Sequence, residues 1–269
     1  LNATLRGGEM APRMNRVLNH ARKSGFTIIH APSSCIEPYR EHPARKHVLA
    51  TPRSKNLPKD IDSWCSHIPE EDRGKYPIDQ SDGGEDDAPA AHKRWAQELK
   101  SRGRNPGAPW KSQTDKLDIH DIDYISDNGS EIWSVLEDRK IDNVVLLGVH
   151  TNMCVLGRPF GLRNMARNGK NVLLVRDLTD SMYNPASWPY VNHFRGTALV
   201  VEHIGQPVHV GADLGEDVLA HQIDRLACAF GNGFAGQRLA QHQRQCAWGR
   251  HILGLIGAHD RIGCGAHFD

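Results

Sequence analysis

Paired cysteines are missing from this chain. The six present, Cys35, Cys65, Cys154, Cys228, Cys246 and Cys264, form no CxxC pair and show none of the spacings that mark a zinc site, which argues against a disulfide framework or a zinc ribbon. Charge of one sign is not in excess either: Lys and Arg number 33 against 32 Asp and Glu, a net charge of +1. With no bulk field to attract them, neither nucleic acid nor an acidic membrane is expected as a partner. No apolar run approaches the roughly 20 residues of a membrane span, and the opening LNATLRGGEM lacks the charged and apolar regions of a signal peptide. It also lacks an initiating Met. We read this end as processed, trimmed or a fragment, with a lost signal peptide as one route to it.

What is there suits an ordinary globular protein. At 269 residues, 39% hydrophobic and 24% charged, the chain can bury a core, and one main domain is expected. Met14, Val17, Leu18 and Ala21 recur at helical spacing between Met10 and Gly25, and FTIIHAP from Phe26 reads as a buried strand. From about Thr51 to Ser112 the chain is polar and turn-rich. A long excursion is expected there, either a lid or disordered, with one helix near Ala90–Lys100.

Beyond Leu117 the pattern alternates: a short strand LDIH, a helix Ser130–Arg139, a strand Asn143–Gly148, a helix Cys154–Asn168 ended by Gly169, a strand Asn171–Val175, and GTALVVEHI as a last helix or strand. VVLLG and NVLLV are continuous apolar runs, as when helices cover both faces of a sheet. The fold class expected is α/β, a doubly wound and mostly parallel sheet.

From Gly205 to Asp269 there is no Ser, Thr, Lys, Tyr or Met, while Gly, His, Gln, Arg and Ala crowd in. A weak helix over Glu216–Ala229 is the one element expected, with no strand–turn pattern after it. We therefore expect a domain over residues 1–204 and a divergent, poorly ordered tail over 205–269, with an out-of-frame translation as one origin.

In an open parallel sheet, ligands bind beyond the carboxyl ends of the strands. GVHTNMCV places Cys154 there, at the start of the helix after Asn143–Gly148, where free N–H groups and the helix dipole favour a thiolate. On spacing alone an inert Cys packed behind the sheet has equal weight.

GVHTNMCV resembles the G-hydrophobic-x-T-x-x-C-V nucleophile segment of the isochorismatase-like cysteine hydrolases, the superfamily that includes nicotinamidases. RPFGLRNMARNGKNVLLVRDLTDSMYNP, HFRGTALVVEHI, YPIDQSDGG and PWKSQ extend the resemblance over roughly Met10–Ile204. It implies a Rossmann-like three-layer fold, Cys154 attacking a carbonyl, an oxyanion hole from the backbone N–H groups of His150 and Cys154, and a non-proline cis peptide between Val149 and His150. It also implies hydrolysis of an amide C–N or related bond in a small-molecule substrate, no cofactor, and a homo-oligomer.

The superfamily's general-base Asp ends a first strand, and no such strand precedes Met10. Its Lys ends the strand that here reads KLDIHDID. His120 stands at the carboxyl edge of that run, with Lys116 about 13 Å back along an extended chain. His120 suits acid–base work near neutral pH, although an exposed strand-edge His carries more weight; Lys116 has a similar alternative as a solvated charge, and Lys111 beside Trp110 ranks lower. Some members of the superfamily hold a metal through Asp-x-His. This chain has His30, His42 and His47 around SSCIEPY, and no metal is expected. Arg158 either approaches the pocket or pairs with a carboxylate, the second weighing more. Asp177 and Asp180 are expected to fix a DLTD turn. A catalytically impaired fragment, a non-catalytic binding protein of the same fold, or a scaffold in which Cys154 only packs stand as alternatives.

Overall fold

The computed structural model describes residues 2–72, 74–81 and 84–205, together with the backbone of 209–210 and 251–256. The protein is of mixed α/β type, and its strands pair in parallel. In chain order the main elements are α1 (Asn2–Lys23), β1 (Thr27–Ala31), α2 (Pro43–Ala50), α3 (Pro89–Ser101), β2 (Tyr124–Ile125), α4 (Gly129–Asp138), β3 (Asn143–Val149), a π-helical turn (Thr151–Val155), α5 (Leu162–Arg167), β4 (Asn171–Asp180), α6 (His193–Ile204), β5 (His209–Val210) and β6 (His251–Ile256). The sheet runs in the order β2-β1-β6-β3-β4-β5.

Period-two alternation along the strands sorts side chains into two clusters. Ile28, Val145, Leu147 and Leu173 pack with Met14 and Leu18 of α1. Ile29, Val144, Leu146, Val172 and Leu174 pack instead with α4, α5 and α6 through Leu136, Met165 and Val200. β1 and β3 are buried along their whole length, which is why they read as unbroken apolar runs.

Several expectations need correction. No strand forms at LDIH. Residues 115–117 turn, Leu117 enters the α1-side cluster, Asp118 accepts from Asn15 Nδ2 at 2.8 Å, and the strand is the short Tyr124–Ile125. Helix Cys154–Asn168 is two pieces: Pro159, with no N–H and a fixed φ, stands in the break between the π-helical turn and α5. Gly169 does follow α5 with φ +83, and GTALVVEHI is helical.

α1 begins at Asn2, well before Met10, despite Gly7, Gly8 and Pro12. Tertiary contacts outweigh that weak propensity: Arg6 Nε donates to Asp180 at 2.9 Å, Arg6 also pairs with Asp86, and Asn2 N donates to Asp87 at 2.9 Å.

The polar excursion is fastened down over part of its length. Arg163 on α5 makes a buried bidentate pair with Glu71, at 2.5 and 2.6 Å, and reaches Cys65 O at 3.3 Å. Asn164 Nδ2 donates to Ser63 O at 3.0 Å, and Ile61 and Ile78 enter the core. Helix α3 falls where one was expected.

From the tail, β5 lies at the sheet edge, while β6 sits between β1 and β3 and pairs with both (Ile28↔Leu253, Val145↔Leu253). HILGLI is an apolar run that the surrounding Gly and His disguise. The helix expected over Glu216–Ala229 lies outside the described residues. So does the rest of the tail on which poor order was expected.

Candidate functional site

The loops that leave the carboxyl ends of β1, β2, β3 and β4 are Pro32–Cys35, Ser126–Asn128, His150–Cys154 and Ser181–Met182. At the end of β3, Gly148 has φ +122, a conformation that favours Gly, and the Val149–His150 peptide bond is cis. The same bond carried that expectation in the sequence. The chain then enters the π-helical turn, where Met153 N and Val155 N both donate to His150 O, at 3.0 and 3.1 Å. Cys154 therefore lies inside a π turn rather than opening an α-helix. It is a free, half-buried thiol, packed against the cluster on the α4, α5 and α6 side.

Neighbouring strands hold this loop in place. Asn152 brackets Met182 after β4, donating from Nδ2 to Met182 O at 2.7 Å and accepting from Met182 N at 2.9 Å. The hydroxyls of Thr151 and Thr179 meet at 2.6 Å. The excursion adds a wall: Cys65 N donates to Gly157 O at 2.8 Å, and a Cβ on Gly157 would fall 2.4 Å from the Trp64 ring, so this approach needs glycine. Trp64 keeps half its surface exposed.

His150 is buried, and its Nε2 has no hydrogen-bond partner. Burial pushes its imidazole down to about 4, against the pull of Asp180 and Asp86, so the ring is neutral near pH 7. Its backbone N–H finds no acceptor among the described residues. Near it, Asp180 accepts from His193 Nε2 at 2.8 Å; burial works to raise this carboxyl, but His193 and Arg6 hold it below the usual range. Asp180 and Asp177 lie within β4, where the register jumps between Leu146↔Leu174 and Gly148↔Thr179. The expected DLTD turn is an irregular stretch of strand.

Lys116 and His120 are not brought to Cys154. Lys116 Nζ donates to Gly8 O of α1 at 2.6 Å, and His120 N donates to Asp123 just before β2. Leu117, between them, packs on the α1 side of the sheet, while Cys154 packs on the other. With the strand at Tyr124–Ile125, both residues precede it and miss its carboxyl end. Lys111 is exposed.

His30 is wholly buried between Gln113 and Asp123, at 3.1 Å from each. Burial works to raise Asp123, but His30 and Arg22 bring it to about 2. His42 accepts from Ala44 N as the cap of α2, and His47 Nδ1 lies 3.2 Å from Asp123 O. Elsewhere Glu85, Asp87 and His92 offer ligand atoms within 4.8 Å of one another. Within this group His92 Nδ1 lies 2.7 Å from Glu85, and Asp87 accepts from Asn2 N.

A cleft of about 500 Å³ opens between α1, β4 and α6, with Arg6, Arg13, Arg176, Asp177 and Phe194 among its walls. It has no wall on the Cys154 loop. Sequence reasoning missed this cleft, as it missed Trp64 and the Glu71–Arg163 pair, because each joins residues from distant segments.

Comparison with known protein families, with curated proteins and with solved structures finds no match. The candidate site thus rests on its own geometry: a half-buried thiol on a braced turn, beyond the carboxyl end of a buried parallel strand.

Proposed function

We propose that this chain is a cysteine-dependent hydrolase of small amides or related acyl compounds, of the isochorismatase-like kind, with its sheet doubly wound in a three-layer Rossmann-like arrangement. The observation that carries the reading is the position of Cys154, a free, half-buried thiol at the carboxyl edge of the parallel sheet, one short turn after His150. The two side-chain clusters on opposite sides of the strands support the layered arrangement.

In this scheme Cys154 Sγ adds to the carbonyl carbon, and the oxygen takes up negative charge against the N–H groups of His150 and Cys154. Collapse of the intermediate breaks the C–N bond, the amine leaves with the proton that the thiol gave up, and water cleaves the thioester to the acid and returns a proton to the Cys154 sulfur. No step calls for a cofactor. The ligand is a small molecule, and assembly of copies into a homo-oligomer belongs to the same reading.

The test has two parts. At pH 7, Cys154, located by peptide mapping, should alkylate with iodoacetamide faster than glutathione does. A panel of small amides should release ammonia in the presence of the protein, and Cys154→Ser should abolish that release. Slow labelling together with no release of ammonia would discard the proposal.

A second reading, a binding protein that keeps the pocket without the chemistry, is favoured by one observation. Among the described residues no carboxylate, lysine or histidine is hydrogen-bonded to the Cys154 thiol. This reading expects ligand binding undiminished in Cys154→Ser.

A further inference from the structure

Arg158 begins one turn beyond Cys154, its N–H donating to Cys154 O at 3.2 Å. The sequence favoured a carboxylate partner for it. Arg6, Arg22, Arg45 and Arg163 all end on carboxylates, yet among the described residues Arg158 does not. Its guanidinium lies 5.9 Å from the centre of the Trp64 ring, and Nη2 stands 3.5 Å from Ser34 Oγ. Nε is buried with no hydrogen-bond partner, as is the hydroxyl of neighbouring Ser33. Asp127, the nearby acid, accepts instead from Ser34 N at 2.6 Å.

A buried donor on a permanent cation, left unmatched, is costly. The cost is recovered when an oxyanion meets the planar fork of the guanidinium, and the adjacent Trp64 ring helps to shield that pair from water. We propose that Arg158 is the anion subsite of the Cys154 pocket, and that the ligand carries a carboxylate which docks on Arg158 while its reactive carbonyl lies over Cys154. The assignment rests on reading Cys154 as the reacting group and specifies the class of substrate: acyl compounds with a free carboxylate, in preference to neutral ones.

Two halogenated reagents that differ only in charge test it. Iodoacetate should label Cys154 about ten-fold faster, relative to iodoacetamide, than it labels glutathione, the scale expected of one charge-assisted hydrogen-bonded pair. Arg158→Gln should return that ratio to the glutathione value, the ratio cancelling any change in thiolate content that both reagents report, and Arg158→Lys should keep part of the preference. A ratio equal to that of glutathione in the unaltered protein, or one that survives Arg158→Gln, overturns the assignment.

If Cys154 reacts with neither reagent, it is the hydrolase reading that fails. The subsite is then judged by calorimetry on Cys154→Ser with benzoate and benzamide. Preferential binding of benzoate that Arg158→Gln removes upholds it, and equal binding, or none, overturns it.

Discussion

Among single residues, Cys154 was the most legible, since its motif lies in one unbroken stretch of chain. For His150 the sequence offered an expected backbone donor but not a buried imidazole, because burial is a property of the packed sheet. That burial has a consequence for pH. An unfolded histidine titrates near 6.5 and the folded one near 4, so between these values the unfolded chain holds more protons. The contribution of His150 to stability is complete above about pH 6.5 and is lost as the pH falls toward 4, at up to roughly 1.4 kcal/mol per pH unit. Asp123, held at about 2, acts in a separate window, its loss beginning below about pH 4. Urea titrations between pH 7 and 4 should show the first slope, and His150→Leu should flatten it. An unchanged slope in the variant would assign the effect to other groups. Lys116 and His120 were misplaced for a different reason: LDIH alternates like a strand, yet Asp118 and Leu117 are claimed by α1.

Among elements, the long apolar segments were legible and the joins between them were not. β1, β3 and α4 follow from unbroken or periodic apolar patterns, whereas α6 was located by its apolar run with helix and strand left open. The break after Cys154 had its signal in the GRPFG sequence, where Pro159 stands between two glycines. The fastening of the excursion had no local signal, because Glu71 and Arg163 each look like a solvated charge until the fold buries them together. Removing one partner leaves the other charged and buried. Arg163→Met should therefore cost about 3–5 kcal/mol, and it should also speed proteolysis within residues 51–112 as Glu71 and the Cys65 carbonyl lose their tether. Chemical denaturation and timed digestion measure the two effects, and a loss under about 1 kcal/mol would mean that Glu71 escapes to water.

For the molecule as a whole, the α/β class and parallel pairing could be read from the sequence, but the order of strands could not. Composition separated 205–269 from the rest, yet the sheet takes its strand between β1 and β3 from that region. Every backbone pairing of β3 on that side is made with β6, as is the matching side of β1. A chain ending at Ile204 would leave two fully buried strands with unpaired N–H and C=O groups. It should lose cooperative thermal unfolding and aggregate. A sharp transition at the midpoint of the full chain would instead show that residues 1–204 stand alone.

The place of β6 also bears on how the protein is made. It follows every other described element in the chain, so when β1, β3 and β4 have left the ribosome, the partner that joins the two halves of the sheet has yet to be translated. During that interval two apolar strand edges stand open to neighbouring nascent chains. The yield of native protein should then depend on elongation speed and chaperone supply while the segment between β4 and β6 is translated, a sensitivity unrelated to the stability of the finished fold.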